Sequence, residues 1–113
     1  KRQVLDMRRP AVGGLAIMRD KDYRTMLARL LPLFDAVVCT EASEPRSLTA
    51  MGLAAAARDV PLADGPAERI ETIVDPHAAL TRARTLAGSA GSVVVAGSLY
   101  LLEDLRDVLA GAG

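Results

Sequence analysis

The sequence predicts an α/β domain: a mostly parallel sheet of four to six strands with helices on both faces. Three observations point there. Short apolar runs alternate with longer amphipathic stretches, the pattern of βαβ units. The run Ala36-Val37-Val38-Cys39 is apolar on both faces, as a strand covered by helices on each side must be. Capping and turn residues punctuate the boundaries between runs.

The elements follow in order. Gly14 to Met18 reads as a buried strand that stops at the charged turn Arg19-Asp20-Lys21-Asp22. A helix follows, with Met26, Leu27, Leu30 and Leu31 on one face and Arg24 and Arg29 off it, and Pro32 ends it. Asp35 to Thr40 is the second strand, and Glu41 to Ser47 a long polar loop. Thr49 caps a helix that runs through Asp59. Val60 to Pro66 is turn-rich, and Arg69 to Val74 is a short strand nearer the sheet edge. Asp75-Pro76 opens a helix through Leu86 that Gly88 ends. Ser92 to Ala96 is the clearest strand, Gly97-Ser98 is a tight exit, and Tyr100 to Leu109 is the last helix, before a frayed tail from Gly111. Right-handed crossovers then give a three-layer, Rossmann-like domain. Its 113 residues suit one domain and not two.

Composition narrows the function classes. Fourteen basic and fourteen acidic residues cancel, so the chain lacks the basic field that nucleic-acid binding needs. With no Trp, one Phe and two Tyr, the core must be aliphatic. The single Cys39 lies within an apolar run and reads as a small buried hydrophobe in a chain from a reducing compartment. No apolar run reaches membrane-spanning length, and Lys1 to Asp6 is not a signal peptide. No His/Cys/Asp cluster supports a metal site, and there is no Walker A sequence; Gly13-Gly14 is too short for a nucleotide loop. The lone His77 reads as a surface residue of a first helical turn.

Ligands of parallel sheets gather at the carboxyl ends of the strands. That rule selects Arg19 to Asp22, Thr40 to Arg46, and Gly97-Ser98. Lys21 can neutralise a carboxylate or phosphate, although a helix cap with a charged first turn accounts for Asp20-Lys21-Asp22 equally simply. Arg46 in Glu44-Pro45-Arg46-Ser47 can grip an oxyanion, or be an exposed arginine beside a turn proline. Gly97-Ser98 suits an anion at the start of a helix, or is a glycine turn with a serine cap.

Three segments together resemble the C-terminal domain of folylpolyglutamate synthase/dihydrofolate synthase, in the Mur ligase superfamily. They are Ile17-Met18-Arg19-Asp20-Lys21-Asp22, Val37-Val38-Cys39-Thr40 leading to Pro45-Arg46-Ser47-Leu48, and Val93-Val94-Val95-Ala96-Gly97-Ser98-Leu99-Tyr100. Order and spacing both fit, over roughly Gly14 to Leu109. The resemblance implies an ATP-dependent, ADP-forming ligase that adds L-glutamate to folate or dihydropteroate, with residues 1–113 a single Mur ligase C-terminal-type domain, a fragment of that ligase. It implies that Lys21 faces the reacting carboxyl or the incoming amino acid, that Ser98 beside Gly97 holds a glutamate carboxylate, and that Asp20, Asp22 and Arg46 shape the same cleft. It implies ATP and Mg2+ in the full-length enzyme, bound mainly outside this chain. It also implies partnership with an N-terminal ATPase domain, and a cytoplasmic monomer without nucleic acid or membrane partners.

One segment departs from the family pattern. The family's domain opens with a strand, then Asp-x-x-His-Asn-Pro, then a helix. Val4-Leu5-Asp6 matches the strand end, but Met7-Arg8-Arg9-Pro10 lacks the His-Asn pair, and Ala11-Val12-Gly13 leave no room for the helix before the next strand. The nucleotide-contacting Asp/His pair is therefore not transferred. The departure favours a rival, a non-catalytic α/β binding module that lost its nucleotide contacts; a Mur-type ligase for another amino acid is a third reading.

Overall fold

The computed structural model describes residues 7–62 and 69–111. Val4-Leu5-Asp6, part of the turn-rich stretch before Arg69, and Ala112-Gly113 lie outside the described residues. Four strands form one sheet: β1 (Ala11–Leu15), β2 (Ala36–Cys39), β3 (Ile70–Thr72) and β4 (Ser92–Ala96). Their order is β3-β2-β1-β4, and every pairing is parallel. The helices are α1 (Tyr23–Leu30), α2 (Ala50–Arg58), α3 (Pro76–Ala87), α4 (Leu99–Asp104) and α5 (Arg106–Gly111), with a 3-10 turn at Leu31–Leu33. The α/β class, parallel sheet and helices on both faces are as the sequence predicts.

Side-chain alternation along the strands builds the three layers. Ala11, Leu15, Val37 and Cys39 point to one face, under Leu27 of α1, Leu31 of the 3-10 turn, and Leu53, Ala54 and Ala57 of α2. Val12, Ala36 and Val38 point to the other, where Ala79, Ala83 and Ala87 of α3 cover them. Those three alanines sit one turn apart, and a methyl is all that separates α3 from the sheet. Toward the carboxyl end of the strands, Leu101 and Leu105 pack on Ala16, Met18, Ala42 and Leu80. The aromatic-poor composition therefore serves close layers. Phe34 is the exception, and its ring packs so close to Gly13 that a Cβ there would lie 2.8 Å from two ring carbons.

The first strand differs from the expectation. It spans Ala11–Leu15, not Gly14 to Met18. Residues Ala11-Val12-Gly13, read from sequence as a connection, are its first half. Pairing decides this: β1 lies between β2 and β4, with Leu15 opposite both Cys39 and Ala96, the last residues of their strands. Ala16 to Met18 stay buried but leave the ladder. There the Leu48 amide donates to the Ile17 carbonyl at 2.9 Å, and Met18 bridges Ser47 in the antiparallel sense. An apolar run reports burial, and burial does not distinguish a strand from a buried connection.

Smaller differences have local causes. Pro32 stands in the 3-10 turn, so α1 ends at Leu30. The third strand is only Ile70–Thr72, at the sheet edge as expected. The last helix is two: Leu105 has φ −102° and ψ 6°, outside helical geometry, and α5 starts after it. The predicted caps hold, with Thr49 accepting from the Gly52 amide and Asp75 from the Ala78 amide.

Charged side chains fasten this frame at its margins. Asp35 accepts from the Ala11 amide at 2.7 Å and from Arg9 at 3.2 Å, joining the start of β1 to the start of β2. The Ala11 amide, with help from Arg9, holds the Asp35 carboxyl below its ordinary value. Arg82 of α3 clasps Glu71 of β3 through two bonds of 2.8 and 3.0 Å, and lowers that carboxyl likewise.

Gly97 closes the exit of β4. Its φ is +102°, and a Cβ there would meet the Ala16 carbonyl oxygen at 2.5 Å. Gly88, which ends α3, has φ +68° but open space around it. Gly97→Ala is expected to destabilise the domain by about 2–4 kcal/mol, because backbone strain and a clash with main chain combine. Gly88→Ala, with strain alone, is expected to lose about 1–2 kcal/mol. Urea unfolding of both variants checks the order. The depressed carboxyls set an acid limit as well. A folded-state pKa below the unfolded value stabilises at higher pH, and the contribution disappears as pH falls through the folded value. With unfolded values of 3.8 for aspartate and 4.5 for glutamate, stability is expected to be level from about pH 7 to 5 and to fall below about pH 4.5.

Candidate functional site

The strand order places the site. β2 and β3 lie on one side of β1 and β4 lies on the other, so the connections leaving β1 and β4 diverge. In open parallel sheets the crevice at such a switch point receives ligands. Here a cleft of about 510 Å³ opens at the carboxyl ends of β1 and β4. Met18, Met26, Leu99 and Leu102 give it an apolar wall, and Lys21, Arg46, Gly97, Ser98 and Tyr100 supply the polar groups. Leu99, at 82% exposure, stands open at the rim.

The structure brings Lys21, Arg46, Gly97 and Ser98 together, from three separate strand exits. Asp20 and Asp22 do not line the cleft. Asp22 caps α1: it accepts from the Thr25 amide at 3.3 Å and the Thr25 hydroxyl at 2.7 Å. That hydroxyl, then the amide, holds the Asp22 carboxyl low. Asp20 pairs with Arg46 at 3.2 Å, at the margin of the site.

Arg46 is the hub of the polar side. Its Nε donates to Glu44 Oε1 at 2.7 Å, one Nη to Asp20 at 3.2 Å and the other to the Tyr100 hydroxyl at 3.1 Å. The guanidinium also lies 5.8 Å from the Tyr100 ring centre, within cation–π range. The hydrogen bond from Arg46 holds Glu44 below its ordinary carboxyl value, and Glu44 raises Arg46 in return. Arg46 is thus neutralised by two carboxylates, and each of its three nitrogens already donates one hydrogen bond. In this arrangement it braces the wall and is not poised as a bidentate anion clamp.

The backbone that carries Arg46 is fixed from β1's side. The Arg19 amide donates to the Arg46 carbonyl at 2.8 Å, and the Arg19 guanidinium donates to the Pro45 carbonyl at 2.9 Å. This explains the charged turn after β1: Arg19 holds the neighbouring loop, Asp20 meets Arg46, and Asp22 starts α1. Lys21 remains. Among the described residues it takes part in no ion pair.

Ser98 is the N-cap of α4 and accepts from the Tyr100 amide at 3.0 Å and the Leu101 amide at 3.3 Å. Both acceptor positions of its oxygen are used, so its remaining capacity is to donate its proton. Lys21 and Ser98 are therefore two donors on one cleft, and together they suit an anionic oxygen. Capping and ligand contact are compatible in Ser98, which dissolves the choice that the sequence posed.

Sequence reasoning missed Tyr100 and Glu44 as partners of Arg46. Glu44 stands two residues before Arg46 across Pro45, a spacing that lets the two side chains meet over the turn. Tyr100 had no comparable local signal, since its partner is far away in the chain. His77 lies in the first turn of α3, as expected, with Nε2 at 3.6 Å from Asp107 and outside the cleft. Cys39 is buried, and burial pushes its thiol up to about 12, so it is no nucleophile at neutral pH. Among the described residues no group of three or more His, Cys, Asp or Glu side chains is placed to hold a metal ion, and no helix is long and apolar enough to cross a membrane.

Comparison with known proteins agrees with the fold. The family model described as Mur ligase, glutamate ligase domain matches residues 2–99. Dihydrofolate synthase/folylpolyglutamate synthase of Mycobacterium tuberculosis (strain ATCC 25618 / H37Rv) is 41% identical over 66 residues, which are 57% of this chain and 14% of that protein. The structure of Mycobacterium tuberculosis folylpolyglutamate synthase complexed with ADP and AMPPCP superimposes with a TM-score of 0.75 at 30% identity, over 87% of this chain and 23% of that one. The bifunctional folylpolyglutamate synthase/dihydrofolate synthase of Yersinia pestis c092, complexed with AMPPNP and Mn ion, shares the fold: TM-score 0.74, 23% identity, 96% of this chain and 24% of that one. The chain thus spans a quarter or less of the length of these relatives. Over nearly all of its own length, it belongs to the Mur ligase, glutamate ligase domain family.

Proposed function

We propose that this chain is the C-terminal, substrate-closing domain of a larger ATP-dependent, ADP-forming ligase that adds L-glutamate to folate or dihydropteroate. Residues 1–113 then form one Mur ligase C-terminal-type domain. The ligase is cytoplasmic, acts as a monomer, and carries its ATPase half in an N-terminal domain. The observation that carries the reading is the switch-point cleft, whose partly apolar wall is lined by Ser98 and by Lys21, which has no ion-pair partner among the described residues. The family match supports the reaction class.

The chain's own residues bind and orient. When bound, ATP supplies the phosphoryl group that turns the acceptor carboxylate into an acyl phosphate. The glutamate amine attacks that carbonyl, and phosphate leaves. The Lys21 ammonium balances negative charge on the carboxyl groups brought together there. Ser98 donates its hydroxyl proton to a glutamate carboxylate, and Gly97, without a side chain, lets the exit of β4 pass close against the Ala16 carbonyl. Asp20 and Arg46 shape the wall, and Asp22 holds the helix that follows Lys21. The described residues do not fit a metal of their own, so no step in this chain is assigned to Mg2+.

A second reading keeps the fold and drops the chemistry: a non-catalytic binding module. Met7-Arg8-Arg9-Pro10, without the His-Asn pair, followed at once by β1, favours it. The full-length protein separates the two. With ATP, Mg2+ and a folate or dihydropteroate acceptor, ADP release is expected to depend on L-glutamate. Lys21→Ala is expected to lower kcat/KM about 100-fold or more with an unchanged urea midpoint. Wild-type turnover in that variant removes Lys21 from the site, and glutamate-independent behaviour of the wild type favours the module.

A further inference from the structure

The loop Glu41 to Ser47 carries Arg46 to the cleft, and its middle is held by a helix distant in sequence. Asp104, the last residue of α4, accepts from the Ser43 amide at 2.8 Å through one carboxylate oxygen and from the Ser43 hydroxyl at 2.7 Å through the other. Tyr100, one turn earlier on the same face of α4, receives Arg46. One helix therefore grips the loop twice, at Ser43 and at Arg46. The same helix begins at Ser98. Its position sets the separation between the Arg46 wall and the Ser98 donor.

We infer that Asp104 is a positioning residue for the cleft: its double bond to Ser43 latches the Arg46 loop to α4 and thereby sets the affinity for the amino-acid substrate. Asp104 lies outside the cleft and lines a separate groove with Ser43, Asp75 and His77, so it acts through the loop and not by touching substrate. A carboxylate can accept both Ser43 donors at once, and an amide side chain offers only one acceptor oxygen. The kinetic part of this inference rests on the ligase reading; the latch itself does not.

The test uses the full-length protein and two readouts. Amide hydrogen exchange over residues 41–47 is expected to rise about tenfold or more in Asp104→Ala, with β4 unchanged. The KM for glutamate is expected to rise about tenfold, with kcat and the KM for ATP within about twofold. Asp104→Asn is expected to restore part of both effects, and Asp104→Ala combined with Ser43→Ala to be no worse than Asp104→Ala alone. Ser43→Ala, which deletes only the hydroxyl donor, gives the same comparison if Asp104→Ala fails to fold. Unchanged exchange across the loop overturns the latch. Raised exchange with an unchanged glutamate KM in an active enzyme overturns the positioning role. A wild-type protein without glutamate-dependent turnover ends the ligase reading, and the exchange comparison then decides the latch alone.

Discussion

The approach of Gly97 to the backbone of Ala16 is the contact on which the rest of this domain depends. β1 and β4 run side by side to Leu15 and Ala96, and then their connections must part. A side chain at Gly97 would collide with the Ala16 carbonyl, and its φ of +102° excludes other residues without strain. Because the two chains leave the sheet so close together, Ala16 to Met18 stay buried and turn toward Ser47 and Leu48. Ser98 is delivered beside the turn that carries Lys21. A cleft that holds Lys21 and Ser98 together follows from backbone geometry before any ligand is considered.

The electrostatic arrangement works by subtraction. Three of the four charged residues from Arg19 to Asp22 have structural partners, as has Arg46. These pairs are exposed, and each contributes little to stability. Their effect is to commit charges in place, so that among the described residues Lys21 alone of these has neither a side-chain hydrogen bond nor an ion-pair partner. The cost is that the wall depends on a loop that needs several fastenings, of which Ser43 with Asp104 is the most remote from the cleft.

Much of this was legible in the sequence, for identifiable reasons. The alternation of apolar runs and helical faces is a local signal, and it gave the α/β class and the parallel sheet. Thr49, Asp75 and Gly88 marked helix ends because capping is local chemistry. The bounds of β1 were not legible, because pairing with β2 and β4 sets them and not the apolar run. The break at Leu105 left no mark either, since Leu101 and Leu105 continue one buried face across it. For the site, the rule that ligands gather at strand ends selected Lys21, Arg46 and Ser98, which line one cleft. It could not separate Asp22 the cap from Lys21 the free cation, because that depends on Thr25 and Arg46 in space. Tyr100 and Asp104 are partners across long stretches of chain, and no spacing rule reaches them.

The central claim is that Lys21 and Ser98 are the two donors of an anion site at the switch point. A crystal structure of the full-length protein with L-glutamate and a non-hydrolysable ATP analogue tests it directly. The account predicts a glutamate carboxylate oxygen at about 2.7–3.2 Å from both Lys21 Nζ and Ser98 Oγ. Glutamate bound elsewhere, with neither donor in contact, would contradict it.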